Sequence, residues 1–193
     1  GDVNFVGDTA LTSVTFGNGL QTIGNYAFTY DGGITSISLP ASLTSIGDYA
    51  FGAMTSKDAS GNTTSGLTSV TFAPDSQLKT IGNSAFIYDS FLDNVTLPAS
   101  LQTIGDQAFL ANSALTSINL PASLISVGAN AFTYDAKLTT LDTSQATALT
   151  TIKSGAFEYA GLTGTLTLPE NLTEIDDLAF AGNHLDGLVV NPA

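Results

Sequence analysis

Apolar and polar residues follow one another in a pattern that recurs along the whole chain. Each unit begins with a segment of the form LxxLxL, for example at 11–16 and 115–120. An LxxI segment follows, and then, in most units, a Gly and the dipeptide Ala-Phe. Apolar residues that alternate with Ser, Thr or Asn are typical of a β-strand with one buried face. The pattern therefore predicts a strand at the start of each unit and a second, shorter extended segment at LxxI.

The dipeptide Ala-Phe sets the period of the pattern. Its phenylalanines are Phe28, Phe51, Phe86, Phe109, Phe132, Phe157 and Phe180. They are equally spaced except for two longer intervals, after Phe51 and after Phe132, and an Ile or Val stands five residues before each one. One unit of this length cannot enclose its own apolar side chains, whereas stacked units bury them as continuous columns. We therefore expect these phenylalanines in one buried column.

The residues between the apolar positions predict how each unit turns. A proline directly after LxxLxL ends the strand, because it has no N–H for the next ladder bond. Such prolines are Pro40, Pro98, Pro121 and Pro169. The Gly after LxxI turns the chain, and the xxAF step suits a single tight helical turn. The predicted fold is a mostly-β repeat solenoid, with the LxxLxL strands stacked in parallel in one sheet and short strands or single helical turns on the other side.

The unit resembles the BspA-type leucine-rich repeat, which reads close to LxxLxLPxxLxxIGxxAFxxC. The resemblance covers essentially the whole chain, and residues 43–51 and 161–169 are especially close to the family pattern. It implies the right-handed coil of a leucine-rich repeat. It also implies an extracellular or cell-surface location, because the family is found on bacterial surfaces and in some parasitic protists, where members are implicated in adhesion to host proteins or to other cells.

The chain departs from the family pattern three residues after the Phe. Where the family often has Cys, most units here have an Asp or Asn, namely Asp8, Asp31, Asp89, Asn112, Asp135 and Asn183. A short side-chain acceptor at this position can bond turn N–H groups from one unit to the next. We therefore interpret this column as structural, with no need of a ligand.

The repeat predicts one leucine-rich-repeat domain over residues 1–193, with about seven units and partial units at both ends. Phe5 precedes the first Ala-Phe by one regular interval, and Pro192 follows Pro169 by the same interval, so no capping unit is visible at either end. We expect the chain to be an excerpt of a longer protein. The longest interval between Ala-Phe dipeptides contains an insertion at 55–66 without apolar periodicity, which we expect to be a mobile excursion from one edge.

Charge and composition narrow the classes of partner. The chain has 17 Asp and Glu, only 4 Lys and Arg, and a formal net charge of −13. Because so acidic a surface repels phosphate groups, nucleic acid and membrane surfaces are poor candidate partners. The absence of Cys excludes disulfides and thiolate metal sites. No apolar run approaches the roughly 18 residues of a membrane span, so we expect no membrane insertion, and we expect the isolated fragment to be a monomer.

Residues that could carry catalysis are scarce. His184 is the only histidine, and Asp176 and Asp177 are the only adjacent carboxylates. Neither a nucleophile–base pair nor the carboxylate pair of a glycosidase is indicated, so we interpret these residues as exposed turn and solvated surface. We predict that the chain is not an enzyme and has no cofactor. The aspartates of the column, such as Asp89 and Asp135, would bind a divalent cation weakly at most, because calcium needs six to eight oxygens around one ion.

Two surfaces hold candidate binding residues. Beside the Ala-Phe turn stand Tyr30, Tyr88, Tyr134 and Tyr159, each two residues after the Phe. The outward positions of the LxxLxL strands include Ser69, Thr71, Asn94, Thr96, Ser117 and Asn119. Exposed tyrosines suit recognition and also packing from unit to unit, and packing is favoured because their spacing is locked to the repeat. The strand face has no aromatic residues at these positions, so it is not an obvious high-affinity site, and its short polar side chains are explained by keeping an exposed sheet soluble, with ice binding as a distant alternative.

Two functions remain open from the sequence. The first is an extracellular, cell-surface interaction module that binds a protein or a glycan of a host or neighbouring cell. The second is a non-catalytic structural or accessory repeat segment of a larger secreted protein or of an enzyme that acts on polysaccharide. A rigid repeat surface serves both, so the residues alone do not separate them.

Overall fold

A computed structural model describes residues 2–190, which form a β-solenoid of about seven coils. Its strands, in chain order, are β1 (Thr22–Ile23), β2 (Ser36–Leu39), β3 (Ser45–Ile46), β4 (Thr55–Lys57), β5 (Thr63–Gly66), β6 (Ser69–Phe72), β7 (Thr80–Ile81), β8 (Asn94–Val95), β9 (Thr103–Ile104), β10 (Ser117–Asn119), β11 (Ser126–Val127), β12 (Thr140–Asp142), β13 (Thr151–Ile152), β14 (Thr163–Leu168), β15 (Glu174–Ile175) and β16 (His184–Val190). The predicted mostly-β repeat solenoid is confirmed. Pro192 lies outside the described residues.

The continuous parallel sheet is built from the LxxI segments. Its order is β1-β3-β7-β9-β11-β13-β15, and every strand in it has two residues. The segments stay in register because the Ile or Val of LxxI stands five residues before the Phe in every coil. The second extended segment predicted from the sequence is therefore confirmed, and it forms the longest sheet of the fold.

The expectation that the LxxLxL strands form one sheet is wrong. They form three separate parallel ladders, β2-β6-β8, β10-β12 and β14-β16. The coils differ in length on this side. Between the first Leu of LxxLxL and the Ile of LxxI, the coils that start at Leu67 and Leu138 are two residues longer than the coil that starts at Leu92. The extra residues at Leu138 fall directly after β12, where one ladder ends, whereas β6 in the coil at Leu67 pairs on both sides. The other break, between β8 and β10, lies between coils of equal length, and the LxxI sheet is intact throughout.

The Ala-Phe segment is a pair of tight turns, and the single helical turn expected there is wrong. Within residues 2–190 no segment is helical. In the first coil Tyr26 and Tyr30 have φ of 55° and 66°, as the third residue of a type II turn requires. The N–H groups of Tyr26 and Phe28 donate to the carbonyls of Asp48 and Ala50 in the next coil, both at 2.8 Å. A helix would direct these N–H groups within the segment, so bonding between coils replaces it.

The phenylalanines of Ala-Phe stack in the centre of the solenoid, as predicted. Consecutive rings from Phe28 to Phe180 lie 5.1–5.4 Å apart between centroids, with interplanar angles of 13° or less. The rings of Phe51 through Phe157 are fully buried, and that of Phe28 is 5% exposed. Phe180 is only half-buried. Each ring thus covers the next over nearly the whole length of the core.

The glycine that follows LxxI permits two coils to approach each other closely. A Cβ at Gly105 would lie 2.6 Å from the carbonyl carbon of Gly82 and 2.7 Å from the backbone nitrogen of Asn83. Both contacts are with backbone of the preceding coil, so no side chain can rotate away. The glycine is required here by space, since its φ is not positive.

Gly105→Ala is therefore expected to lower the free energy of unfolding by about 1–3 kcal/mol, as overpacking of a closed contact does. Gly19→Ala is the matched control, because a Cβ there meets no atom within 4 Å. Urea unfolding followed by circular dichroism measures both variants. Equal losses in the two variants would contradict the close approach of the coils.

The insertion at 55–66, which the sequence predicts to be a mobile excursion, contains an antiparallel β-hairpin, and its mobility stays a prediction. β4 and β5 pair antiparallel, with Thr55 opposite Gly66 and Ser56 opposite Ser65. Asp58 closes the turn: its Oδ1 accepts the N–H groups of Ser60 and Asn62, both at 2.9 Å. These hydrogen bonds hold the pKa of Asp58 below its usual range. Thr and Ser supply the strands and Asp, Gly and Asn the turn, which a search for apolar periodicity does not detect.

Candidate functional site

The four candidate tyrosines line the edge of the solenoid where the second Ala-Phe turn ends, which we call the turn edge. Tyr30, Tyr88, Tyr134 and Tyr159 have φ of 66°, 62°, 63° and 50° and are 50–59% exposed. Other coils have Gly7, Ala53, Ala111 and Gly182 at this position. Glycine adopts positive φ without strain, whereas a bulky residue there is an outlier. The backbone therefore does not explain why tyrosine occupies four of these positions.

Two of the tyrosines pack on the repeat. The rings of Tyr134 and Tyr159 are stacked, with centroids 5.6 Å apart and an interplanar angle of 5°. The ring of Tyr159 covers Gly182, where an added Cβ would collide with ring atoms. The packing interpretation therefore fits this pair. Its rings stack from one coil to the next, as the phenylalanine rings do.

The other two tyrosines stand on either side of a groove. Tyr30 and Tyr88 belong to coils that are separated by the coil of Ala53, which puts them about 10 Å apart along the solenoid, twice the spacing of strands. The groove has a volume of about 790 Å³ and is lined by Thr9, Tyr30, Ala53, Thr55, Ser56, Lys57, Thr63, Tyr88, Ser90 and Ala111. Four of these residues come from the hairpin 55–66, so the insertion contributes a wall of the groove.

The lining of the groove is almost free of charge. Lys57 is its only charged residue, and five residues with hydroxyl groups line it together with the two tyrosines, namely Thr9, Thr55, Ser56, Thr63 and Ser90. The chain as a whole has a net charge of −13. The groove is thus a place where a ligand meets aromatic rings and hydroxyl groups without contacting a carboxylate.

The candidates on the LxxLxL strands do not form one surface. Ser69 and Thr71 lie on β6, beside Asn94 on β8 and the neighbouring Thr96, and these four line a depression of about 400 Å³. Ser117 and Asn119 lie on β10, which pairs with β12 and not with β8. All six are exposed or, for Ser69, half-buried. The structure therefore brings four of them together and leaves the other two on a separate ladder.

The Asp and Asn column three residues after the Phe has the structural role that we inferred. Asp89 Oδ1 accepts the N–H of Met54 at 2.7 Å, and Asn112 Oδ1 accepts the N–H of Asp89 at 2.8 Å. Asp135 Oδ1 accepts the N–H of Asn112 at 2.7 Å, and Asp31 Oδ1 accepts that of Asp8 at 2.6 Å. Each side chain thus closes the turn of the preceding coil.

Burial changes the ionisation of these aspartates. Asp31, Asp89 and Asp135 have no exposed surface, and their Oδ2 atoms have no hydrogen-bond partner. Burial therefore raises the pKa of Asp31, and it raises the pKa of Asp89 and Asp135 well above the usual range, although the accepted N–H opposes the change. Each of these carboxyl groups is buried in its own coil.

Metal-binding arrangements are not found in the described part of the chain. Within residues 2–190, no group of three or more His, Cys, Asp or Glu side chains is placed to hold a metal ion. Asp176 is half-buried, while Asp177 and His184 are exposed. Weak divalent-cation binding by the buried column stays a prediction.

Sequence reasoning missed the hairpin residues of the groove. Thr55, Ser56, Lys57 and Thr63 fall in the predicted mobile excursion, yet they line the groove beside the tyrosines. The signal in the sequence is weak but present: Thr and Ser runs on both sides of the turn residues 58–62 favour a hairpin.

A parallel β-solenoid of short coils with an LxxLxL strand and a column of stacked phenylalanines defines a leucine-rich-repeat protein. A family model described as the BspA type leucine rich repeat region matches the chain in six copies, over residues 1–73 and 61–186. The chain therefore belongs to the BspA-type leucine-rich repeat family.

Solved structures of bacterial leucine-rich repeat proteins share the fold. A leucine rich cell surface protein of Faecalibacterium prausnitzii is 28% identical with a TM-score of 0.68, over 88% of this chain and 43% of that one. A leucine-rich repeat protein of Bacteroides ovatus is 25% identical with a TM-score of 0.72, over 90% and 41%. The pneumococcal vaccine antigen PcpA, at 22% identity and a TM-score of 0.58 over 91% and 46%, shares the fold alone. The chain thus spans less than half the length of these proteins.

Two further findings concern curated relatives and membrane-spanning helices. No curated protein sequence matches the chain significantly. Within residues 2–190 there is no helix with the length and apolar character needed to cross a membrane. The chain is a leucine-rich repeat protein related to bacterial cell-surface proteins, and a role in interaction follows as a proposal.

Proposed function

We propose that the chain is an extracellular interaction module of a cell-surface protein, which binds a protein or glycan of a host or neighbouring cell. The groove on the turn edge is the binding site in this proposal. The related protein of F. prausnitzii is described as a cell surface protein, which supports the location. The module is non-catalytic, because its surface offers rings and hydroxyl groups without a nucleophile–base pair.

The observation that carries the proposal is the pair Tyr30 and Tyr88 beside Ala53. Both tyrosines are more than half exposed at a backbone conformation that favours glycine, and both line the groove. Tyrosine is enriched where one end of a side chain is apolar and the other contacts water, as in recognition surfaces. Because every coil has positive φ at this position, what distinguishes this pair is that both exposed rings line the groove.

The alternative function is a structural or accessory segment of a larger protein, with no ligand of its own. The long hydroxyl-rich faces of the solenoid are compatible with it, because short polar side chains keep an exposed sheet soluble. The two functions differ in one respect that can be measured: only the interaction module binds a partner through the turn edge.

Binding to an array of glycans and extracellular-matrix proteins, at low and physiological salt, tests the proposal. We expect micromolar binding by the unmodified chain. The double variant Tyr30→Ser, Tyr88→Ser is expected to weaken that binding about tenfold or more, since each aromatic contact contributes about 0.5–1.5 kcal/mol. The variants are then compared by surface plasmon resonance.

The matched control is the double variant Tyr134→Ser, Tyr159→Ser, which removes the same two side chains from the stacked pair outside the groove. It is expected to bind as the unmodified chain does. If both double variants bind equally well, the groove is not the site. If the unmodified chain binds nothing on the array, the accessory function replaces the interaction module.

A further inference from the structure

We infer that the turn-edge groove takes an uncharged oligosaccharide of at least two linked pyranose rings. The inference rests on the proposed function, because it names the ligand class of the same site. Three properties of the groove support it: the spacing of the two tyrosines, the hydroxyl groups between them and the absence of carboxylates from its lining.

The spacing of the tyrosines fits a ligand that is longer than one sugar ring. Tyr30 and Tyr88 are two coils apart, about 10 Å along the solenoid, and Ala53 lies in the coil between them. An apolar face of one pyranose ring covers one aromatic ring, so two tyrosines at this distance accommodate two rings of one oligosaccharide. The small side chains of Ala53 and Ala111 leave the space in which such a chain would lie.

The polar lining of the groove fits the hydroxyl groups of a sugar. The hydroxyl groups of Thr55, Ser56 and Thr63 on the hairpin both donate and accept hydrogen bonds, as sugar hydroxyls do. Ser90 and Thr9 add two more hydroxyl groups to the lining of the groove. A small number of polar groups placed around an apolar centre orients a ligand and provides its specificity.

The charge of the chain favours an uncharged ligand over an acidic one. The net charge of −13 repels polyanions, and a single Lys57 in the groove does not reverse this field. Protein partners are less favoured, because two of the three side chains that dominate protein interfaces, Trp and Arg, are absent. The chain has no Trp, and its four basic residues are all Lys.

Titration with uncharged oligosaccharides of one to six hexose units tests the inference. The chain has six Tyr and no Trp, so tyrosine fluorescence reports on ligands that cover these rings. We expect no measurable binding of the monosaccharide and a rise in affinity of at least tenfold up to three or four rings, after which it levels off. Tyr30→Ser and Tyr88→Ser are each expected to weaken binding about three- to tenfold.

Ala53→Tyr tests the groove separately from its aromatic rings. The same backbone position carries Tyr in four other coils, so the variant is expected to fold. Its added ring fills the space between Tyr30 and Tyr88, and we therefore expect oligosaccharide binding to be lost. Lys137→Gln is the control, because Lys137 is exposed and does not line the groove; we expect its binding of uncharged sugars to be unchanged within about twofold.

The outcomes separate the inference from the proposed function. Length-dependent oligosaccharide binding that Ala53→Tyr abolishes supports the inference. Binding to proteins on the array through the same tyrosines, without binding to any oligosaccharide, overturns the inference and leaves the proposed function in place. Tighter binding of oligosaccharides by Ala53→Tyr overturns the groove as the site. No binding to either class overturns both.

Discussion

Phe109→Ala is expected to lower the free energy of unfolding by about 3–5 kcal/mol, the usual cost of removing a phenylalanine from a closed core. Phe109 has no exposed surface, and its ring lies between those of Phe86 and Phe132, with centroids 5.2 Å away on each side. The variant therefore removes ring contacts to two coils at once. Chemical unfolding monitored by circular dichroism measures the loss.

Phe5→Ala is the matched control for this prediction. Phe5 stacks on Phe28 with centroids 5.2 Å apart, but 47% of its surface is exposed. Its removal leaves a site that water can fill, so the loss is expected to be well below that of Phe109→Ala. Equal losses at the two positions would contradict a linear stack in which each coil depends on its neighbours.

Asp89→Asn is expected to raise the free energy of unfolding at pH 7 by about 1–3 kcal/mol, because it removes an ionisable group from a buried site. Burial raises the pKa of Asp89 well above its usual range, and its Oδ2 has no hydrogen-bond partner. Asparagine keeps the oxygen that accepts the N–H of Met54. Asn112 occupies the same position one coil further on, where its Nδ2 is buried without a hydrogen-bond partner, so the amide fits the space but leaves its N–H donors unpaired.

The pH dependence of this gain has a definite direction. The unfolded carboxyl titrates near a pKa of about 3.9, and the folded one titrates at higher pH because of its burial. Between these two pKa values the folded state binds more protons than the unfolded state, so the contribution of Asp89 to stability falls as the pH rises. The gain from Asp89→Asn should therefore be absent below the unfolded pKa and largest above the folded one.

Asp48→Asn is the matched control for the pH experiment. Asp48 Oδ1 also accepts an N–H from a neighbouring coil, that of Asn83 at 2.7 Å, but the residue is only half-buried. The substitution preserves the acceptor and removes a charge that contacts water, so we expect a change within about 0.5 kcal/mol. Thermal unfolding from pH 3 to pH 8 compares the two variants. A gain for Asp89→Asn that does not depend on pH would contradict the ionisation argument.

The sequence predicts the core of this fold better than its edges. The distance from the Ile or Val of LxxI to the Phe does not vary, and the phenylalanine column and the LxxI segments follow from that constancy. The LxxLxL strands look like the stronger strands in sequence, but their ladder is interrupted after β8 and after β12. Apolar periodicity indicates which residues are buried. It does not indicate which neighbouring strands form continuous ladder bonds.

The turn and the hairpin show a second limit of the sequence. A helical turn at Ala-Phe is compatible with the residue types, and only the N–H bonds to the next coil exclude it. These bonds depend on a neighbouring coil, which local propensity does not include. The hairpin 55–66 is stabilised by Asp58 and by the pairing of strands rich in Thr and Ser, so it forms without an apolar pattern.

The candidate site is predictable in part. The four tyrosines are identified from their fixed place in the unit, and the structure divides them into a stacked pair and a pair that lines the groove. This division depends on Ala53 and on the hairpin beside it. Both are visible in the sequence, but their meeting at the turn edge follows from the stacking of coils.

Amide chemical shifts of the isotope-labelled chain, titrated with a partner identified on the array, test the central claim most directly. The account predicts shift changes at the groove, around Tyr30, Ala53 and Tyr88 and along the hairpin 55–66, with the LxxLxL ladders unaffected. Shift changes centred on Thr71 and Asn94, with the groove residues unchanged, would contradict it.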